Sequence, residues 1–194
     1  DNTITSNITN NNSYGIVFDG SDDNTITDNT ANNNSNTGIF LYNSSGNTIT
    51  NNTTSNNLYG IYLDSASNNE IYNNNFIDNS TQAYVSGSGN VFNLAAPVGG
   101  NYWSDYDTPA EGCHDTSPND GFCDAAYVFT GGQDDLPWTS QDGWLGSIPT
   151  QVCGNGIVEG TEQCDGGTCC NTDCTFKSSS TECRASAGVC DVAE

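Results

Sequence analysis

Asn47-Thr48-Ile49-Thr50 decides the fold, because versions of this phrase occur at four places in the chain. The copies begin at residues 2, 24, 47 and 69, so they follow one another at intervals of 22, 23 and 22 residues. A second phrase lies halfway through each interval, as Gly15-Ile16-Val17-Phe18, Gly38-Ile39-Phe40-Leu41, Gly60-Ile61-Tyr62-Leu63 and the degenerate Ala83-Tyr84-Val85. Short β-branched segments separated by polar turns at a fixed period predict stacked coils of β-strands.

Asparagine explains how such polar coils can stack on one another. One set of asparagines falls three residues after the isoleucine of the first phrase, and another falls eight residues after it; they are Asn7, Asn29, Asn52, Asn74 and Asn12, Asn34, Asn57, Asn79. In a parallel helix of coils each set forms a column, in which side-chain amides hydrogen-bond from coil to coil. The sequence therefore predicts an ordered rod and not a disordered polar tract.

The composition restricts the partners of this rod. The 194 residues contain 24 acidic residues against Lys177 and Arg184, which gives a formal net charge of −22, and 34% of the residues are hydrophobic. Such a charge disfavours nucleic acid and anionic membranes as partners, and no apolar run is long enough to insert into a membrane. Calcium is the counter-charge expected outside the cell, and the alternative is that the acidic residues form a solvated surface without a bound cation.

Nine cysteines indicate an oxidising, extracellular or cell-surface location.

The repeats resemble the right-handed parallel β-helix family that includes NosD-type periplasmic copper-binding repeats and pectin-lyase-like proteins. The resemblance covers about residues 1–137, because Gly100-Asn101-Tyr102-Trp103-Ser104-Asp105-Tyr106 is similar to the terminal phrase of that family, and Asp120-Gly121, Tyr127, Gly131-Gly132, Asp135 and Pro137 follow in the family's order. It implies an all-β chain: a short right-handed parallel β-helix of about four coils at 1–98 and an aromatic, aspartate-rich cap at 99–145.

A linker at 146–151 and a small disulfide-rich module at 152–194 complete the expected organisation. The segment from Cys153 to Asp165, with Cys169, Cys170 and Cys174, is similar to the calcium-binding segment of disintegrin-like domains. The resemblance implies calcium ligands at Val152, Asn155, Ile157, Glu159, Glu162 and Asp165. Disulfides are expected to engage Cys153, Cys164, Cys169, Cys170, Cys174 and Cys183 in an open connectivity, with Cys190 left over because its neighbour would lie beyond Glu194. Integrin binding has no direct support, since no Arg-Gly-Asp sequence is present.

A second calcium site is predicted in the cap. Acidic and amide side chains crowd into twenty residues there, and like charges at short distance repel one another without a cation; the set is Asp105, Asp107, Asp115, Asn119, Asp120 and Asp124. Cys113 and Cys123 enclose this loop and are expected to form a disulfide.

The cap is also rich in aromatic residues, which allow two interpretations: a cover for the open end of the β-helix or a sugar-stacking surface. These residues are Tyr102, Trp103, Tyr106, Trp138 and Trp144. Covering is the interpretation favoured.

Seven asparagines precede Ser or Thr by two positions and are candidates for glycosylation; they are Asn7, Asn11, Asn33, Asn43, Asn51, Asn52 and Asn79. Asparagines that stack inward in a column cannot carry a glycan. Asn43, at a coil corner, is the favoured acceptor.

Catalysis and copper handling have little support in the sequence. Pectin-lyase-like enzymes use clustered aspartates with a lysine or arginine base, and the β-helix contains neither. Asp19, Asp22, Asp23 and Asp64 could in principle supply a glycosidase pair, but turn aspartates are common for backbone reasons. His114 is the sole histidine and no methionine is present, which is a poor set of copper ligands.

The function predicted from the sequence is therefore non-enzymatic and mechanical. We expect an extracellular stalk, adhesin or filament subunit that is stabilised by calcium and disulfides. Its partners would be further copies, stacked head to tail on a first coil that lacks a cap, or other extracellular proteins. The alternative is a carbohydrate-binding module or an inactive relative of polysaccharide-active β-helix enzymes, with glycan partners. A calcium-dependent protein-recognition module in the tail is a third hypothesis.

Overall fold

The computed structural model describes residues 1–117 and 119–146. The described part contains three-residue and six-residue strands in regular alternation, followed by a small hairpin and one helical turn. The elements are β1 (Thr3–Thr5), β2 (Tyr14–Asp19), β3 (Thr25–Thr27), β4 (Thr30–Asn32), β5 (Thr37–Tyr42), β6 (Thr48–Thr50), β7 (Thr53–Ser55), β8 (Tyr59–Asp64), β9 (Glu70–Tyr72), β10 (Asn75–Ile77), β11 (Thr81–Ser86), β12 (Tyr102–Trp103), β13 (Tyr127–Phe129), β14 (Gly132–Asp134) and α1 (Gly143–Gly146).

The coils stack into three parallel sheets, which confirms the predicted β-helix of about four coils. The first sheet has the order β1-β3-β6-β9, the second β12-β10-β7-β4, and the third β11-β8-β5-β2. The repeat phrases pair in register, so that Ile26 lies between Ile4 and Ile49 along the first sheet. The second sheet was not predicted, because its strands are short and polar, as in Thr-Ala-Asn and Thr-Thr-Ser.

Inward-facing side chains from the three sheets fill the interior. Ile26, Ile49 and Ile71 come from the first sheet and are fully buried. The inward column of the second sheet runs through Ala31, Thr54, Phe76 and Trp103, so its side chains become larger toward the cap. The third sheet adds two further apolar columns: Ile16, Ile39, Ile61, Ala83 and Phe18, Leu41, Leu63, Val85. The result is a thin continuous core along the rod.

A glycine column allows the second and third sheets to meet closely. A Cβ atom placed on Gly38 would lie 2.8 Å from the carbonyl oxygen of Gly60, 2.9 Å from the Thr54 Cβ and 3.0 Å from the Asn57 Nδ2. Gly15 and Gly60 have equivalent surroundings. Because the neighbours include main-chain atoms, a larger residue would push the coils apart. The glycine of the second phrase is therefore a packing requirement.

The chain that follows β11 continues all three sheets at the same end of the rod. Val91 bridges to Glu70 of the first sheet, Trp138 bridges to Tyr102 of the second, and Thr130 bridges to Tyr84 of the third. β13 and β14 form an antiparallel pair within this cap. The strand edges at this end are consequently paired, as expected for a soluble solenoid.

The chain divides into two compact units, Asp1–Trp144 and Leu145–Glu194. Residues 147–194 lie outside the residues that the structure describes. The predicted disintegrin-like module lies there with its calcium ligands Val152, Asn155, Ile157, Glu159, Glu162 and Asp165 and its cysteines Cys153, Cys164, Cys169, Cys170, Cys174, Cys183 and Cys190. These residues stay predictions.

Candidate functional site

The central asparagine column is a chain of hydrogen bonds that crosses every coil. The Oδ1 of Asn52 accepts the backbone N–H of Asn29 and its Nδ2, both at 3.0 Å. The Nδ2 of Asn52 donates to the Asn74 Oδ1 at 2.9 Å, and also to the carbonyl oxygens of Ile26 and Thr50. Asn52 and Asn74 are fully buried. The predicted column is confirmed, and it continues one step further, to Asn101.

Two more columns run beside the first. The predicted set from Asn12 to Asn79 is present, and its last member donates to the Gln82 Oε1 at 2.9 Å. A third column, which was not predicted, joins the opening asparagines of the first phrase: Asn2, Asn24, Asn47, Asn69 and Asn90. Its signal was available in the sequence, since the phrase begins with asparagine in every copy.

A buried aspartate ends the central column. The Oδ2 of Asp134 accepts the backbone N–H of Asn101 at 2.7 Å and the Trp103 indole Nε1–H at 2.9 Å, and its Oδ1 accepts the N–H of Leu136. Asp134 is fully buried, and this burial raises its pKa to about 7 against the opposing effect of these hydrogen bonds. No local pattern indicates this role, because Asp134 lies 33 residues from Asn101.

The cap aromatics are mostly internal, which confirms the covering interpretation. Trp103 is fully buried and its ring stacks on Phe76 and Tyr127. Trp138 is 1% exposed and packs against Phe122. Sugar stacking on Trp103 or Trp138 is therefore wrong, because neither ring has a free face at the surface.

The acidic residues of the cap find hydrogen-bond donors within the cap. Asp105 accepts the Tyr127 hydroxyl, and Asp107 accepts the Tyr102 hydroxyl. Burial and the neighbouring carboxylate raise the pKa of each of these tyrosines. Asp107 and the adjoining backbone also lie near Glu111, which accepts the N–H of Asp107 and of Thr108. Each of these hydrogen bonds therefore engages one carboxylate of the cap.

The loop around the disulfide follows the same pattern. Asp115 accepts the backbone N–H groups of Asp120 and Gly121, each at 3.0 Å. Asp124 accepts the N–H and hydroxyl of Thr116, and these bonds lower its pKa. Over residues 1–117 and 119–146, no group of three or more His, Cys, Asp or Glu side chains is placed to hold a metal ion. The structure thus does not bring Asp105, Asp107, Asp115, Asp120 and Asp124 into one metal site with Asn119, and calcium binding in the cap stays a prediction.

Cys113 and Cys123 form the expected disulfide, with Cα atoms 4.9 Å apart. Both cysteines are buried. The bridge therefore closes the aspartate-rich loop covalently.

The glycosylation candidates divide by exposure. Asn52 and Asn79 are buried members of the columns and their Nδ2 atoms donate within the fold, so the two positions cannot carry a glycan in the folded chain. The side chains of Asn7, Asn11, Asn33, Asn43 and Asn51 are exposed, but the Nδ2 of Asn7 also donates to the Asn29 Oδ1 as the first member of the central column. Asn43 also has a positive φ of 47° at its coil corner.

Six aromatic side chains on the outside of the third sheet form a surface that was not predicted. We call Tyr14, Phe40, Tyr42, Tyr59, Tyr62 and Tyr84 the tyrosine face. Ring centroids are 5.6 Å apart for Tyr14 and Phe40, 5.3 Å for Phe40 and Tyr62, and 4.8 Å for Tyr62 and Tyr84. Tyr14 and Tyr42 are 39% and 40% exposed. For Phe40, Tyr42, Tyr62 and Tyr84 the alternation in the second phrase held the signal, since every second residue of a strand points outward.

Together these observations define a capped parallel β-helix with asparagine columns inside and an aromatic, acidic exterior. The family model for the periplasmic copper-binding protein (NosD) matches residues 1–108, which is more than half of the chain. The chain belongs to this family. No curated protein and no solved structure matches the chain significantly.

The family is periplasmic by its description, and the chain accordingly lies outside the cytoplasm, as the predicted extracellular or cell-surface location requires. No helix within the described ranges is long and apolar enough to cross a membrane.

The copper in the family description does not fit the donors of the described residues. Copper prefers imidazole, thiolate and thioether ligands. The chain has one histidine, His114, and no methionine. In the described ranges, both cysteines are consumed by the Cys113–Cys123 bridge. We therefore derive no chemistry through copper for this part of the chain.

Proposed function

We propose that the chain is a non-enzymatic structural element outside the cell, a rigid stalk or adhesive rod that calcium and disulfides stabilise. The observation that carries the proposal is the unbroken column from Asn7 through Asn52 to Asn101, which ends on the buried carboxylate of Asp134. A continuous chain of hydrogen bonds that runs through every coil resists the sliding and separation of those coils.

The exterior supports the same proposal. Residues 1–146 contain no lysine or arginine, so the rod has neither the base of pectin-lyase-like chemistry nor a cationic groove for acidic polysaccharides. Asparagine, aspartate and serine are the commonest residues at its exposed positions. Such an exterior suits a spacer or an adhesive surface better than a catalytic cleft.

Single-molecule pulling tests the mechanical role. We expect the coils to unfold cooperatively and at high force, and Asn52→Asp to lower that force strongly. Asn51→Asp is the matched control, because Asn51 is an exposed turn residue beside the column. Unfolding at low force in the unmodified protein would refute the proposal, and so would turnover of a polysaccharide by the unmodified protein.

Filament formation by head-to-tail stacking is a narrower form of the proposal. Sedimentation of the full chain in calcium, over a wide range of protein concentration, tests it. Concentration-dependent rods support the filament, whereas a monomer at every concentration leaves the stalk role and removes the filament.

A further inference from the structure

The tyrosine face is bordered along one side by carboxylates in register. Asp19 pairs with Tyr42, and Tyr42 pairs with Asp64, so the three side chains form one outward column of the third sheet. Strands of neighbouring coils lie about 4.8 Å apart, which places the two carboxylates about 10 Å apart. Burial and the nearby Asp64 both raise the pKa of Tyr62, in agreement with the proximity of rings and acids on this face.

The inner rings of the tyrosine face, Phe40 and Tyr62, each have neighbouring rings on more than one side. Phe40 and Tyr62 are 16° from parallel and Tyr14 and Phe40 are 26° from parallel, at centroid distances of 5.3 and 5.6 Å. Flat stacking of a sugar ring needs a free aromatic face, and neighbouring rings restrict access to the faces of Phe40 and Tyr62. The tyrosine face therefore offers apolar edges beside hydroxyl and carboxylate acceptors.

The negative charge of the rod restricts the kinds of partner that this surface can bind. Residues 1–146 contain no lysine or arginine to pair with the carboxylates. A second copy of the rod would meet like charge, and an anionic polymer would be repelled. Lysine and arginine side chains have the complementary form, because their apolar stems lie along aromatic surface while their charged heads reach a carboxylate.

We propose that the tyrosine face, together with Asp19 and Asp64, is a docking surface for an extended basic segment of a partner protein. The stems of its lysine or arginine residues lie across the rings, and their heads bind the two carboxylates. Tyrosine is among the residues enriched at protein interfaces, and Tyr62 lies at the centre of the stack.

Calorimetric titration of the full chain tests this docking surface with three probes. An extended peptide that alternates arginine and threonine is expected to bind, while its glutamate counterpart and the neutral glycan cellohexaose are not. Absence of binding by the arginine peptide overturns the proposal, and so does preferential binding of cellohexaose, which would assign the surface to glycans.

Paired variants separate a specific surface from general attraction to an acidic protein. The double variant Asp19→Asn with Asp64→Asn is expected to weaken the arginine peptide about fivefold. The control is the double variant Asp28→Asn with Glu70→Gln, which removes the same charge elsewhere. Glu70 is an exposed residue of the first sheet, and Asp28 is an exposed residue of the turn that follows β3. This control should change binding by less than about twofold. Equal losses in the two double variants would overturn the proposal.

A second pair tests the rings. Tyr62→Ser is expected to weaken the peptide about tenfold, and Tyr72→Ser, on the first sheet, is expected to have no effect. Thermal unfolding of each variant verifies that it is folded. An effect of Tyr72→Ser as large as that of Tyr62→Ser would contradict a role for this face.

Discussion

At the column positions, asparagine occupies buried sites that aliphatic side chains occupy in most protein cores. Its amide supplies an acceptor and two donors at one short side chain, so Asn52 accepts from the preceding coil and donates to the following one. An ionised aspartate has no donor, and an alanine leaves the neighbouring amides without partners. Buried polar groups of this kind are stabilising only while every member is satisfied.

The first prediction compares the same substitution at adjacent residues. Asn52→Asp places a carboxylate against the Asn74 Oδ1 and the Ile26 carbonyl, which both require a donor. We expect it to lower the free energy of unfolding by about 3 kcal/mol or more, whereas Asn51→Asp should change it by less than about 0.5 kcal/mol. Urea unfolding measures both, and similar losses at the two positions would contradict the role of the column.

The raised pKa of Asp134 predicts how the free energy of unfolding changes with pH. Its pKa is about 7 in the folded protein, against about 3.9 for an aspartate in an unfolded chain. Between about pH 4 and pH 7 the folded state therefore binds more protons, so the contribution of Asp134 to stability falls as the pH rises through this window. The free energy of unfolding of Asp134→Asn should fall less steeply than that of the unmodified protein.

Urea unfolding of both proteins at several pH values within that window tests the prediction. The other carboxylates titrate in both proteins, so the difference between the two curves isolates Asp134. Parallel curves would show that the carboxyl of Asp134 is ionised throughout, held so by its four hydrogen-bond donors.

Among the elements, apolar phrases were predictable and polar ones were not. β3 and β5 carry isoleucine in a fixed register, which a sequence pattern reveals. β4 and β7 contain threonine, alanine, serine and asparagine, residues equally typical of turns. These strands form because their neighbours in the stack supply hydrogen-bond partners, which is information that only the tertiary structure holds.

The same limit applies to the candidate site. Tryptophans in a polar segment indicate either a cap or a binding surface, and only their burial decides between the two. The aromatic residues of the tyrosine face lie within the strands, where the half-buried Phe40 and Tyr62 follow the same alternation as other strand residues. Asp134 reaches its position through the β13–β14 hairpin, and nothing local marks it as the end of a column.

Within the cap, Trp103 is the residue whose removal should lower the stability most clearly. Trp103→Ala removes a fully buried ring from its stack with Phe76 and Tyr127, and also removes one donor to Asp134. We expect a loss of about 3–5 kcal/mol in the free energy of unfolding. Trp144→Ala, at a half-buried ring, should have a smaller effect, and equal effects would argue against Trp103 as the centre of the cap.

At the scale of the whole molecule, the rod is closed by the cap at one end and carries only negative charge over its described length. We propose that such a chain gains stability by binding calcium outside the cell, where this ion is abundant. The tail ligands predicted from Val152 to Asp165 are the principal candidates.

Calcium removal tests that expectation on the full chain. At a calcium concentration of about one hundred times the dissociation constant, one site stabilises the folded state by about 2.7 kcal/mol. Thermal unfolding in calcium, in chelator and in magnesium at equal ionic strength measures the effect. The same Tm in all three conditions would rule out a stabilising calcium site, and loss of the calcium effect in Glu162→Gln would locate it in the tail.

The central claim is that the asparagine columns stand in register along the rod. An experimental density map at side-chain resolution tests it most directly. We predict the Asn52 Oδ1 at about 3.0 Å from both the backbone nitrogen and the Nδ2 of Asn29, with Asn74 and Asn101 continuing the column to Asp134. A map in which Asn29 and Asn52 are distant from each other, or point into solvent, would contradict this claim and the mechanical function that depends on it.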